Sequence, residues 1–274
     1  MSFDTNGIAM TSIGITDGAS SMAIQEDGKI VVAGGTYLPT GSGSFALVRY
    51  HPDGSLDTSF SADGKTIVDF GASEGASCLA IQSDGKILVG GYSYSNTGST
   101  FALSRHNPNG KIDSTFHHDG KVSTSFGHYI DAVSAIALQD DGKILVAGDS
   151  GDGINESFSL ARYFSDGELD TSFGNGGLVM TSIGYSAGIS ELVIQPDGKI
   201  VAAGVSYDPF ISDTAPPSPA AVARYFPDGS LDPTFANGGI ATVFIGLEAG
   251  ASSVALQTDG KIVVGGDFSS FYGI

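Results

Sequence analysis

The sequence predicts an all-β chain, a five-bladed β-propeller of four-stranded antiparallel blades, and three observations lead there. One phrase returns five times: DGKIVVAGG at 27, DGKILVGGY at 84, DGKILVAGD at 141, DGKIVAAGV at 197 and DGKIVVGGD at 259, at intervals of 57, 57, 56 and 62 residues. Self-similarity at a fixed period marks a repeat architecture and is read before any single motif. Each period also divides into four short runs of strand-forming residues separated by turn chemistry. No apolar stripe of helical period runs long enough to make a helix. Four antiparallel strands in each repeat of roughly 40–60 residues is the pattern of a propeller blade. So small a sheet cannot bury both faces alone, whereas stacked blades can.

In the first period, strand a is SSMAIQ (20–25), alternately apolar and polar. Asp27-Gly28 turns it into strand b, KIVVAGG (29–35), as a two-residue connection whose backbone needs positive φ. After a Gly/Ser-rich loop, FALVRY (45–50) is strand c, and HPDGSLDTSFSADG leads to strand d, KTIVDFG (65–71). Later periods repeat this division. Strand d also occurs at the N-terminus, where SFDTNGIAMTSIG (2–14) nearly copies TSFGNGGLVMTSIG (171–184), so this strand is expected to help close the last blade. The chain 1–274 reads as one propeller domain with an incomplete last blade. After its strand b the sequence is GGDFSSFYGI, and either Phe271 begins a truncated strand c or that strand is absent. Unpaired backbone there is costly. The expectation is either a fragment of a longer protein or a strand supplied by another subunit.

Composition narrows the function. Thirty acids against 12 bases give a net charge of −18, which repels nucleic acid and anionic lipid. No apolar run approaches the roughly 18 residues of a membrane span, and the N-terminus lacks a basic region followed by an apolar core. Cys78 is alone and forms no internal disulfide, so cysteine usage names no redox compartment.

The two-part motif F-x-L-x-R-Y-x-x-D-G-x-L-D-x-x-F, present as FALVRYHPDGSLDTSF (45–60), and A-[IL]-Q-x-D-G-K-I-[VL]-V-[AG]-G resembles the bacterial delta-60 repeat β-propellers. More distantly it is similar to the NHL propellers. The resemblance covers the whole chain. It implies an extracellular or surface-attached bacterial module and lends no catalytic residues. Ala220, where strand c of the fourth repeat should open on an aromatic residue, and the abrupt C-terminus depart from the pattern.

Residues that recur in every repeat read as structural. Arg49, Arg105, Arg162 and Arg224 are each followed eight residues later by Asp57, Asp113, Asp170 and Asp232. The arginine at the end of strand c is expected to clamp the c–d turn through its aspartate. Columns of serine (20, 77, 134, 190, 252) and glutamine (25, 82, 139, 195, 257) are expected to satisfy backbone groups at blade junctions. The phenylalanine column (3, 60, 116, 173, 235) is expected in the core.

Function is expected on the opposite ends of the blades, where the b–c loops vary. That face is predicted acidic, carrying Asp17, Glu74, Asp131, Asp149, Asp152, Glu156, Asp208, Asp213 and Glu248. Tyr37, Tyr92, Tyr94, Tyr129, Tyr185 and Tyr207 are placed there to stack on sugar rings. The ligand set drawn from these is Tyr37, Tyr92, Tyr94, Asp149, Asp152, Asn155, Tyr207 and Asp208. No cofactor is expected. The loop Asp149–Glu156 offers oxygens to calcium, but it departs from the D-x-[DN]-x-[DN]-G pattern and reads as turn chemistry. Four of five histidines, His106, His117, His118 and His128, cluster in the second repeat without a catalytic motif. The leading expectation is a non-catalytic binder of protein or neutral glycan. Strand-complemented self-assembly and a polysaccharide hydrolase or lyase are the alternatives.

Overall fold

The computed structural model describes residues 3–4, 6–207, 218–244 and 248–269. The described residues contain strands, turns and bends and no helix. The chain divides into two compact units, Met1–Ser125 and Phe126–Ile274.

The first unit holds two four-stranded antiparallel sheets. Blade 1 is β1 (Thr16–Ile24), β2 (Ile30–Tyr37), β3 (Gly43–Tyr50) and β4 (Lys65–Val68), in that order. Blade 2 is β5 (Ser73–Ile81), β6 (Ile87–Ser95), β7 (Gly98–His106) and β8 (Lys121–Thr124). In the second unit, blade 3 is β9 (Ile130–Leu138), β10 (Ile144–Gly151), β11 (Glu156–Tyr163) and β12 (Leu178–Thr181). Blade 4 is β13 (Ser186–Ile194), β14 (Ile200–Tyr207), β15 (Ala220–Tyr225) and β16 (Ile240–Val243). Blade 5 has two described strands, β17 (Glu248–Leu256) and β18 (Ile262–Ser269). The question of whether Phe271 begins a third lies outside the described residues.

The core lies between successive blades. In the first unit Val31, Ala33, Phe45 and Leu47 of blade 1 meet Ala76, Ile87 and Val89 of blade 2. In the second, Leu145, Phe158 and Leu160 meet Ile189 and Ile200, while Val201 and Val222 meet Ala251 and Val254. Strands β6, β10 and β14 are therefore buried on both faces, which is why they read as runs of Ile, Leu, Val and Ala rather than an alternation.

Two local devices differ from expectation. The a–b connection is longer than a two-residue hairpin. Gln25 N–H donates to Lys29 O and Gly28 N–H to Gln25 O, and of the turn residues only Gly28 takes a positive φ, 81°. Asp27 needs no left-handed backbone because its carboxylate accepts the Lys29 N–H at 3.1 Å. The result is a turn closed in part by a side chain. The serine column marks something else again. In each blade the first strand slips register by one residue at this serine, as between Ala19 and Ser21 and between Ile189 and Glu191. Ser20, Ser77, Ser134, Ser190 and Ser252 are thus the extra residues of β-bulges. Opposite each bulge stands a glycine of the second strand (34, 91, 148, 204, 266), where a β-carbon would run into a backbone carbonyl oxygen of the first strand. These glycines are required by close approach and not by φ.

The N-terminal segment expected as a strand d takes its place without forming a ladder, since residues 8–13 are paired with no described strand. Elsewhere strand d pairs with the strand c that precedes it in the chain, and here nothing precedes it to pair with. It is nevertheless seated on blade 1. Tyr50 Oη donates to Thr11 Oγ1 at 2.7 Å, as Tyr225 Oη does to Thr181 Oγ1 at 3.0 Å. Phe3 lies against Gly54 as Phe60 lies against Gly110 and Phe173 against Gly229.

Candidate functional site

The c–d end of each blade is occupied by one recurrent tie. Arg49, Arg105, Arg162 and Arg224 donate through Nε to Asp57, Asp113, Asp170 and Asp232 at 2.8, 2.8, 2.8 and 2.9 Å. The other carboxylate oxygen accepts the backbone and hydroxyl of Ser59, Thr115, Ser172 or Thr234. Each guanidinium lies 4.5–4.7 Å from the ring centroid of Phe60, Phe116, Phe173 or Phe235. The tie also crosses to the next blade, because Arg49 Nη1 donates to Pro108 O and Arg162 Nη1 to Pro227 O. Burial opposes ionisation of Asp170, yet the Ser172 hydrogen bonds and the Arg162 charge hold its carboxyl below the ordinary value.

His106 belongs to the same structural end. It stands where Tyr50, Tyr163 and Tyr225 stand in other repeats and is buried between Ser104 Oγ (3.1 Å) and Gly110 O (3.2 Å). Burial pushes its imidazole down to about 4, so it is neutral at pH 7.

At the b–c end the structure redistributes the expected acids. Asp17 accepts Ile13 N–H and Gly14 N–H, both at 2.9 Å, and Thr36 Oγ1 at 2.7 Å. Asp131 is fully buried and accepts Phe126 N–H and Ser150 Oγ. Glu74, also buried, accepts Ala72 N–H at 2.7 Å, and one of its oxygens, Oε2, has no partner. These three carboxylates turn inward and hold the d–a loops, so they do not form an acidic surface. The loops have spare N–H groups that must be satisfied, and a carboxylate at the start of strand a is within reach of them.

Of the ligand residues proposed from sequence, Tyr37, Tyr94 and Tyr207 end β2, β6 and β14 and are 40–47% exposed. Tyr92 is exposed two residues before Tyr94, with its ring over Gly75. Asp152 is spent on its own loop, accepting Ile154 N–H at 2.9 Å and Asn155 N–H at 2.8 Å, while Asn155 Nδ2 turns back to the same carboxylate. Neither therefore faces outward as a free ligand group. Asp208 and Asp213 lie outside the described residues, as does the side chain of Glu248. Tyr37, Tyr92 and Tyr94 come together within the first unit, and Asp149, Asp152 and Asn155 within one loop of the second.

Asp149 has the most altered chemistry. It lies on β10 facing Gly188 of β13, and burial, then the charges of Glu156 and Asp131, push its carboxyl up to about 6. Glu156 itself accepts Ser186 Oγ. Because the folded protein holds this proton more tightly than the unfolded chain, the stability from Asp149 is full below pH about 4 and is lost as pH rises to about 6. Asp149→Asn should therefore raise the thermal midpoint relative to the parent at pH 7 and leave the difference near zero at pH 4. An equal shift at both pH values would assign the effect to packing. Among the described residues no group of three His, Cys, Asp or Glu side chains is arranged to hold a metal ion.

The repeats match known sequences in a consistent way. Residues 25–60, 82–116, 139–173, 195–235 and 257–273 match the family described as domain of unknown function (DUF5122) beta-propeller, and residues 120–154 match the WD domain, G-beta repeat. None of the curated proteins matches. Among solved structures, an arabinanase from Bacillus subtilis is 13% identical over 91% of this chain and 96% of its own, with a TM-score of 0.46. An endo-arabinanase from Bacillus licheniformis is 11% identical over 93% and 95%, with a TM-score of 0.44. A catalytically inactive virginiamycin B lyase from Staphylococcus aureus is 13% identical over 94% and 71%, with a TM-score of 0.42. Likeness at this level lends no chemistry. The five matched segments cover more than half of the sequence and fall on the five blades, and the protein belongs to the DUF5122 beta-propeller family.

Proposed function

We propose that the protein is a non-catalytic, extracellular bacterial module of the delta-60 repeat type, which binds a protein or neutral glycan through the b–c ends of its blades. One observation carries this reading: three blades end their second strand in an exposed tyrosine at the same register, Tyr37, Tyr94 and Tyr207. The other ends are consumed by the Arg–Asp–Phe ties. A tyrosine offers a flat apolar face and a hydroxyl at low entropic cost, which suits a sugar ring or a protein surface and not a phosphate. With Asp17, Glu74 and Asp131 turned inward, aromatic faces rather than charge are the main recognition element of the first unit.

The test is Tyr37→Ala/Tyr92→Ala/Tyr94→Ala, titrated calorimetrically against a panel of neutral polysaccharides and against captured protein partners. Binding by the parent should be lost, with the thermal midpoint unchanged. If the triple variant binds as the parent does, the reading falls.

A second reading, a polysaccharide hydrolase or lyase, is favoured by Asp149, a carboxyl raised toward neutral pH beside two further carboxyls. It requires turnover that Asp149→Asn abolishes, which separates it from the binding reading.

A further inference from the structure

Blade 1 has one face packed on blade 2 and a second face that is open. Across this open face lies an apolar groove lined by Ala9, Met10, Met22, Val32, Ala46 and Val48, with Met10 89% and Met22 60% exposed. One wall is the N-terminal segment 8–13. Its seating on blade 1 reproduces that of a strand d on the blade after it: the Thr11–Tyr50 hydrogen bond repeats Thr181–Tyr225, and Lys65 Nζ reaches Ser12 O as Lys121 Nζ reaches Asp69 O. Asp4 N–H likewise donates to Asp53 O as Ser61 N–H does to Asn109 O and Gly174 N–H to Asp228 O.

What the segment lacks is its neighbour. In blades 1, 2 and 3 strand d is paired with a strand c reading Phe-x-Leu-x-Arg. Phe45 stands opposite Val68 and Leu47 opposite Thr66, Phe101 opposite Thr124 and Leu103 opposite Val122, and Phe158 opposite Thr181 and Leu160 opposite Val179. We propose that residues 8–13 and the open face of blade 1 form an acceptor groove for an extended partner segment of Phe-x-Leu-x-Arg chemistry, added as an antiparallel strand. The groove continues the ladder and the blade-on-blade packing that run through the other repeats. Sequence alignment of residues 8–14 with 178–184 sets the register: the partner's phenylalanine stands opposite Thr11 and its leucine opposite Ala9. The arginine has a prepared place. Phe3 occupies the position of Phe60 and Phe173 beneath it, and Pro52 O, which accepts no hydrogen bond from a described residue, occupies that of Pro108 O and Pro227 O.

A folded second copy has no such strand to give, because β3, β7, β11 and β15 are each paired along both edges. The occupant is therefore a segment of a different polypeptide. The probe is a fluorescent peptide SFSLARY, the sequence of residues 157–163, titrated by anisotropy against the full chain. Saturable binding is expected, and a control peptide with aspartate in place of its phenylalanine and leucine should not bind. Met22→Asp, at an exposed position that the fold tolerates, and deletion of residues 1–14 should each weaken binding about tenfold or more. Absence of binding, equal binding of both peptides, or affinity unchanged in both variants overturns the proposal. So does a dimer in light scattering that Met22→Asp dissolves, since a second copy would then be the occupant.

Discussion

Asp170→Ala is expected to lower the unfolding free energy by about 3–5 kcal/mol, read as a fall in the urea midpoint. The Arg162 side chain is 8% exposed, and with Asp170 gone its guanidinium keeps Pro227 O and the Phe173 ring but no opposing charge. A buried charge stripped of its partner costs far more than the pair contributes when whole. The Ser172 backbone and hydroxyl lose their acceptor as well. Removing both charges in Asp170→Ala/Arg162→Met should therefore cost less than the sum of the single changes. Additive losses would show that the two side chains act separately, and a single-variant loss under about 1 kcal/mol would show that solvent already screens the pair.

The second large effect is expected at Gly204. A β-carbon there would collide with the carbonyl oxygen of Gly188, which belongs to the bulged strand β13. No flexible side chain can yield, so the bulge itself has to move. Gly204→Ala should cost roughly 3 kcal/mol or more, at the upper end of overpacking. Gly18→Ala, which meets nothing within 4 Å and has no positive φ, should change stability by less than about 0.5 kcal/mol. If the two variants unfold at the same urea concentration, close approach does not explain the glycine column.

Much of the fold is readable in the sequence because the same chemical words recur. The Asp-Gly turns, the Val/Ile-rich second strands and the eight-residue Arg–Asp spacing each repeat with the blades. The bulges are not marked by their own residue, since a serine in strand a looks like any polar tie. Their signal is the partner glycine in strand b, which reads in sequence as an ordinary strand-end glycine. The inward acids were hidden for a related reason. Asp17, Glu74 and Asp131 look solvent-facing when only loop position is considered, and their hydroxyl partners Thr36, Ser93 and Ser150 lie 19 residues away. The tyrosines were assigned to loops, and the structure ends strands with them. That difference matters, because a strand holds a ring in a more defined place than a loop does.

The tie from each arginine ends on a backbone carbonyl, and the phenylalanine beside it rests on a glycine. Neither contact depends on a side chain peculiar to the receiving repeat. Any repeat can thus follow any other on equal terms, like bricks cut from one mould. A gene built this way can gain or lose whole units by unequal recombination without redesigning a junction. Blade number is then free to drift while each b–c loop diversifies on its own.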